Sequence, residues 1–294
     1  MRMKYEAIEK YSSEFCVKRM CKVLELVPSN YYRWKRNKEK KQEKQKEELQ
    51  LVRKIEKIFE ASHKTYGYRV IREVLKRENI EISEYRVRKI MKENGLYPET
   101  RKKYNPARNR KKDGKYFKNL IEQNFKTEEK DQVWVGDITY IRTVLGWVYL
   151  AVVMDLYNRE VIGYAISKKI DTELVKRALG NALAKRTGKA GLIFHSDRGS
   201  QYASKGYQKM LEENQITGSM SRGGCPYDNS CIESFFATLK KERIYRKNYV
   251  TMEEVKADLF RYIELFYNRK RLHSVLGYMS PVEYRLKYDG GKAA

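Results

Sequence analysis

Apolar residues recur at helical spacing between residues 15 and 24, at Phe15, Val17, Met20, Cys21 and Leu24. Pro28-Ser29-Asn30 then breaks the pattern and supplies an N-cap for a second helix through Tyr31, Tyr32 and Trp34. Two short helices around a tight turn fit a helix-turn-helix and an ordinary helical hairpin equally well. Residues 35–50 are almost entirely Lys, Glu and Gln, which predicts a solvated helix or a linker. From Leu51 the period returns, with Leu51, Ile55, Ile58 and Phe59 on one face. Residues 65–69 interrupt it, and Val70, Ile71, Val74 and Leu75 resume it. After a turn over 79–82, Ser83 caps a helix with Val87, Ile90 and Met91 inward, closed by Gly95. Its outward face carries Tyr85, Arg86, Arg88, Lys89 and Lys92, which suits a helix lying in a major groove as well as a merely solvated basic face.

Beyond residue 132 the period shortens. Strands are expected over 133–141, 147–154 and 161–167, the last two joined by a turn at 157–160. A helix follows from Asp171 or Thr172 through Leu183, then a strand over 192–196, a helix over 204–213, a strand over 216–221 and a helix over 230–243. Three strands in a meander followed by alternating helices and strands predict an α/β fold, a mixed sheet with helices on both faces. This is the order of an RNase H-like core, preceded here by an all-α helix-turn-helix region. The expected division is a helical segment with a charged linker over 1–46, a helix-turn-helix domain over 47–98, a basic linker over 99–127, the core over 128–243 and a helical extension of it over 244–294.

Charge adds a partner to this picture. The 294 residues carry a net charge of +25, and residues 1–130 hold 37 Lys+Arg against 20 Asp+Glu, so 17 of those charges sit in less than half the length. Such an excess points to a polyanion, with nucleic acid the first candidate ahead of an anionic membrane surface or mere solubility. Residues 101–118 contain nine basic residues and one acid, so Arg101, Lys102 and Lys103 are expected to track the phosphate backbone. The longest apolar run, 147–154, is far short of the roughly 20 residues that span a bilayer, and residues 1–6 lack an apolar leader core. A cytoplasmic, nucleoid-associated protein is expected. Cys16, Cys21, Cys225 and Cys231 form no CxxC pair, and His63, His195 and His273 are scattered, which argues against zinc and for hydrogen-bonding or DNA-facing histidines.

Three acids stand out. Asp137 lies inside Val133-Trp134-Val135-Gly136-Asp137-Ile138, where a carboxylate must be paired, metal-bound or at a strand edge. Asp197 ends the apolar run 191–196, although Asp197-Arg198-Gly199 also reads as a turn. Glu233 falls in the first turn of a helix, where Ser230 and Glu233 also make a capping-box pattern. Lys240 lies seven residues on along the same face, as a DNA contact or a surface lysine. Asp155, at the end of its own strand, is the rival acid and is read as structural, capping the turn toward Arg159. Phosphodiester chemistry needs an activated oxygen nucleophile and a neutralised leaving oxygen. Two Mg²⁺ or Mn²⁺ ions about 4 Å apart serve both, and such hard cations take carboxylate oxygens.

The intervals between the acids, 59 and 35 residues, add to the motifs around them. Those motifs are Trp134-Val135-Gly136-Asp137-Ile138-Thr139-Tyr140, His195-Ser196-Asp197-Arg198-Gly199-Ser200-Gln201-Tyr202 and Asp228-Asn229-Ser230 leading to Glu233-Ser234-Phe235-Phe236. Leu239-Lys240-Lys241-Glu242 follows, then Tyr267-Asn268 through Arg271-Leu272-His273-Ser274 to Leu276-Gly277-Tyr278 and Pro281. Over essentially its whole length the chain resembles the second-reading-frame transposases of the bacterial IS-three insertion-sequence family, its IS-one-fifty branch most closely, within the D-D-E transposase and retroviral integrase superfamily. The resemblance implies that Asp137, Asp197 and Glu233 bind the catalytic metals and that Lys240 contacts terminal DNA. It implies a homo-oligomer acting on terminal inverted repeats and target DNA, in which a 3′ hydroxyl released at one element end attacks near the other and the resulting circle later integrates. The His-His-Cys-Cys module of the integrases is not found, which assigns end recognition to the helix-turn-helix segments. Residues 267–284, rich in Arg and Tyr, either pack on the core or contact DNA. A non-enzymatic DNA-binding regulator and an RNase H-type nuclease are the alternative functions.

Overall fold

The computed structural model describes residues 1–99, 116–186, 190–223 and 225–289, and the chain divides into two compact units, Met1–Tyr97 and Pro98–Ala294. In the first unit, α1 (Arg2–Lys10), α2 (Val17–Val23) and the start of α3 (Pro28–Ala61) enclose Tyr5, Ile8, Cys21, Leu26 and Tyr31. Pro28 opens α3 at a position where its missing N–H costs nothing. The polar stretch 35–50 is helical and lies wholly inside α3, which crosses the expected boundary at residue 46 without a break. No Gly or Pro interrupts it there, so the helix, about 50 Å long in all, runs through solvent for about 24 Å between one small core and the next.

That next core joins Ile55 and Phe59 of α3 to Ile71 and Leu75 of α4 (Tyr68–Arg77) and to Val87, Ile90 and Met91 of α5 (Glu84–Glu93). Ser83 caps α5 by accepting the Arg86 backbone N–H at 3.3 Å, and Gly95, at φ +67°, ends it in the left-handed conformation that glycine adopts at little cost. The Arg72 guanidinium donates to the Ile82 carbonyl at 3.2 Å and fixes the turn between α4 and α5.

The second unit is built on a five-stranded sheet in the order β3-β2-β1-β4-β5. β1 (Val133–Thr143), β2 (Gly146–Asp155) and β3 (Val161–Ser167) form an antiparallel meander, and β4 (Ile193–Ser196) and β5 (Thr217–Met220) run parallel to β1. Alternation along the strands separates two cores. Trp134, Ala151, Val153 and Ile162 face α6 (Thr172–Lys185) and α7 (Lys205–Glu213). Val135, Ile141, Leu150, Val152 and Met154 face α8 (Ser230–Glu242), which buries Ile232, Phe235, Phe236 and Leu239 against them. Full burial of one such side chain contributes about 2 kcal/mol. Gly163 lets α6 approach β3: a Cβ there would stand 2.4 Å from the Ala178 carbonyl oxygen.

The expected division at 243/244 does not divide the core. Ile244, Tyr249, Val255, Leu259, Tyr262 and Phe266 complete the α8 side, carried partly on α9 (Met252–Phe260) and the wide helical turns that follow it. Asp258 anchors α9 there. Burial alone would push its carboxyl up, but hydrogen bonds from Arg243, Lys247 and the Tyr249 hydroxyl outweigh that and bring it down to about 2. Residues 267–284 pack on the core. The Asn268 side chain accepts from Val161 N–H at 3.0 Å and donates to its carbonyl at 2.9 Å, and Arg271 grips Glu242 with bonds of 2.8–3.0 Å.

One expectation is corrected. The linker placed over 99–127 ends earlier, because its described part from residue 116 covers β5. Phe117 packs where a Gly218 Cβ would meet its ring at 2.4 Å, Leu120 N–H donates to Ser219 Oγ at 2.9 Å, and Ile121 is buried. The basic residues around these apolar positions mask their spacing. Asp155 is structural and caps the turn toward Arg159, as expected, by accepting the Tyr157 N–H at 3.0 Å, and it also pairs with Arg186 at 2.8 Å, while Arg159 donates to the Phe125 carbonyl at 3.4 Å. Asp155 also accepts the Asp131 N–H, and burial holds its carboxyl up at about 6 despite the guanidinium.

Candidate active site

The β1–β4 ladder runs from Val133 opposite Ile193 to Gly136 opposite Ser196. The next residue on each strand is an acid, so Asp137 and Asp197 emerge at the same level of neighbouring parallel strands. Gly136 is what permits this approach, since a Cβ there would stand 2.4 Å from the Phe194 ring. Asp137 alternates with Val135 onto the face that α8 covers. It is half-buried, and its Oδ1 accepts the Ile138 N–H at 2.7 Å. Asp197 is exposed, with Oδ1 accepting the Gly199 N–H at 3.0 Å, so the turn is real and the second oxygen stays available.

Glu233 projects, exposed, from the first turn of α8. The capping-box alternative is not formed: Asn229 holds the N-cap position, Ser230 is already helical, and no side chain caps the helix. Lys240, half-buried two turns along, sits with Nζ 4.5 Å from the centroid of the Tyr140 ring.

These four charges act on one another. Burial, then the charge of Asp197, then that of Glu233 push the Asp137 carboxyl well above the usual range, while Lys240 pulls it down. Burial raises Asp197, and burial with the Asp197 charge raises Glu233. Burial lowers Lys240 against the pull of Asp137. Among the described residues none of the three carboxylates is ion-paired with Lys or Arg within 4.0 Å, and no three acid, imidazole or thiol side chains stand close enough together to hold a metal as they are. The oxygens are hard donors with uncompensated charge, which fits a divalent cation, and Glu233 is an exposed side chain free to rotate.

Beneath Asp197, His195 is fully buried. Its Nδ1 lies 2.9 Å from Ser219 Oγ and its Nε2 3.2 Å from Ser221 Oγ, tying β4 to β5. Burial takes its pKa down to about 4, so it is a neutral hydrogen-bonding residue and not a DNA-facing cation. Asp228 is a structural support of the site that sequence reasoning leaves within a motif without a role. It is fully buried and draws in donors from Asn119, Gln123, Arg222 and Cys225, fixing the loop that delivers α8. Its only sequence signal is an acid in a Gly-Gly-Cys-Pro loop just ahead of a helix. A cleft of about 1040 Å³ lies elsewhere among the described residues. It is lined by residues such as Asp131, Glu160, Arg186 and Arg285, whose charges satisfy one another.

On α5, Arg86, Arg88, Lys89 and Lys92 are all exposed, with Arg86 reaching Glu48 of α3 at 3.2 Å and Arg88 over the Tyr68 ring. Arg101, Lys102 and Lys103 lie outside the described residues.

Integrase core domain models match residues 127–226 and 233–288, and an HTH-like domain model matches residues 44–104. The chain is 38% identical over 285 residues to the transposase InsF for insertion sequence IS3A of Escherichia coli K12, covering 97% of this chain and 99% of that one. The chain belongs to the IS3-family transposases. A second relative, the insertion element IS600 uncharacterized 31 kDa protein of Shigella sonnei, is 37% identical over 92% of this transposase and 98% of its own length. Among solved structures, the catalytic core of BIV integrase covers 56% of the transposase at 18% identity and TM-score 0.43, with 99% of the integrase core covered. The catalytic domain of Mos1 mariner transposase covers 46% at 19% identity and TM-score 0.39, with 71% of that chain covered. The transposase thus combines an HTH-like DNA-binding region with an RNase H-like integrase core, and the HTH-like match falls on the second of the two helix-turn-helix patterns. No helix among its described residues is long and apolar enough to cross a membrane.

Proposed function

We propose that this transposase cleaves and joins DNA at the ends of its element using Asp137, Asp197 and Glu233 as ligands for two Mg²⁺ ions, with Mn²⁺ able to substitute. The observation that carries this reading is the adjacency of Asp137 and Asp197 at the end of the β1–β4 ladder, under a helix that presents Glu233, with no Lys or Arg among the described residues ion-paired to any of them within 4.0 Å. Bound divalent ions would supply a nucleophilic oxygen at neutral pH and neutralise the leaving oxygen. The protein's part is positional. The sheet fixes Asp137 and Asp197, the buried face of α8 fixes the base of Glu233, and rotation of the exposed Glu233 side chain closes the set.

In each joining step a 3′ hydroxyl attacks phosphorus, the bond to the existing 3′ oxygen breaks, and that oxygen leaves with a proton. Repeated between element ends and then on target DNA, this gives a circle and later integration. Lys240 approaches the terminal phosphates, α5 reads the terminal repeats, Arg101, Lys102 and Lys103 follow the backbone, and copies of the chain assemble on the paired ends at the nucleoid. The test is direct: the purified chain with duplexes carrying its element's inverted repeats should nick and join them with Mg²⁺ and stop on chelation. Absence of product with the mapped repeats, in Mg²⁺ or Mn²⁺, would overturn the reading.

The exposed basic face of α5 carries a separate expectation. Replacing Arg86, Arg88 and Lys89 with Ala should weaken end binding by tenfold or more and lower the slope of affinity against salt by up to about three. Unaltered affinity in a titration across salt concentrations would retire α5 as the reader.

A further inference from the structure

We infer that the β1–β2 hairpin carries a stacking site for an unpaired nucleotide at a DNA end, formed by Tyr140 and Trp147 and flanked by Lys240 and Arg142. The inference rests on the strand-transfer reading above and extends it to a contact made with bases instead of phosphates. The register sets Arg142 opposite Trp147 and Tyr140 opposite Tyr149, so Tyr140, Arg142 and Trp147 share one face of the hairpin. Tyr140 and Trp147 meet edge to face, 5.3 Å between centroids at 84°. Trp147 nevertheless keeps 50% of its surface exposed.

The surroundings favour nucleic acid over another protein. Lys240 stands over Tyr140 and senses Asp137, so the platform is joined by one side chain to the acids. Tyr140 is three residues beyond Asp137, about 10 Å along the strand, and by alternation lies on the opposite face of the sheet, where Lys240 of α8 nevertheless reaches its ring. β4 stops at Ser196, opposite Gly136, and among the described residues β1 meets no further strand on that side until Thr143 bridges Tyr249. The stretch between has no strand beside it, and Lys240 and the exposed Arg142 border it. Aromatic rings beside such a basic track hold splayed bases without reading their identity, since every base has a π-face.

The experiment uses the full chain in buffer containing chelator, so that binding is read without chemistry. Two fluorescent probes are compared, a blunt duplex and the same duplex with a short single-stranded 3′ overhang. The wild-type chain should prefer the overhang. Trp147→Ala and Tyr140→Leu should each weaken overhang binding about tenfold and change blunt-duplex binding by less than about twofold, while Trp147→Phe keeps most of the preference. Equal weakening on both probes would mean a structural role for the aromatic pair, and unchanged binding on both, including any case where only self-association shifts, would mean a protein contact; either outcome overturns the inference. A wild-type chain that binds duplex but shows no overhang preference sinks this inference alone, whereas one that binds neither probe sinks the DNA-processing reading with it.

Discussion

Glu233→Gln is expected to reduce magnesium-dependent cleavage and joining of element-end DNA on the order of a thousandfold while leaving end affinity within about twofold. The substitution keeps the shape of the side chain and removes its charge, and an amide oxygen is a poorer donor to a hard cation than a carboxylate. Little else depends on Glu233. It is exposed, it does not cap α8, and the helix is held by Ile232, Phe235, Phe236 and Leu239 on its opposite side. The neighbouring acids would feel relief, not loss, because Glu233 is one of the charges that push Asp137 up. Stability should therefore hold while chemistry fails, a separation that a nicking and joining assay run beside a binding titration and a thermal melt resolves. Joining at the wild-type rate would remove Glu233 from the metal site.

Asp137 was the most legible of the acids, because a charge between Val135 and Ile138 conflicts with the strand pattern around it and a local conflict of that kind marks function. Asp197 and Glu233 were less so, since a turn and a capping box explain them equally well from sequence; the helix start at Ser230 removes the capping box, while the turn after Asp197 is formed and leaves one of its oxygens available. The strands were legible to within a residue or two, because their alternation is dictated by two cores on opposite faces. What escaped was non-local. Arg186 pairs with Asp155 across 31 residues, and Phe117 and Leu120 reach β5 from about a hundred residues away, distances over which no periodicity carries information. The polar stretch inside α3 was ambiguous for a different reason: with no apolar stripe, only the continuity of good helix formers between two small cores decides that it is helical.

Asp228→Asn is expected to slow joining about 10–100-fold and lower the melting temperature by about 5–10 °C, with DNA binding retained. The carboxylate is fully buried, and each oxygen is surrounded by donors: Oδ2 accepts from Arg222 N–H at 2.8 Å and Asn119 Nδ2 at 2.9 Å, Oδ1 from Gln123 Nε2 at 2.9 Å. Hydrogen bonds from the Arg222 side chain lead the effects that hold its pKa well below the usual carboxylate range, against the cost of burial. An Asn there turns an amide NH₂ toward groups that can only donate, and strips the partner from Arg222. Because Arg222 is 60% exposed and screened by water, the loss stays well below that for a fully buried pair. The sign with pH follows from the depressed pKa. The contribution is present above the ordinary carboxylate range and is lost as pH falls below it, so wild type and variant should converge in stability toward pH 3 or lower and differ most near neutrality. The effect on joining has its own cause. Asp228 ties residues 119–123 to the loop that enters α8 five residues before Glu233, and a displacement of about 1 Å at a reacting group costs on the order of a hundredfold. Melting curves at both pH values beside a joining assay decide the matter, and a variant that melts and joins like wild type would show that α8 is positioned by its packed face alone.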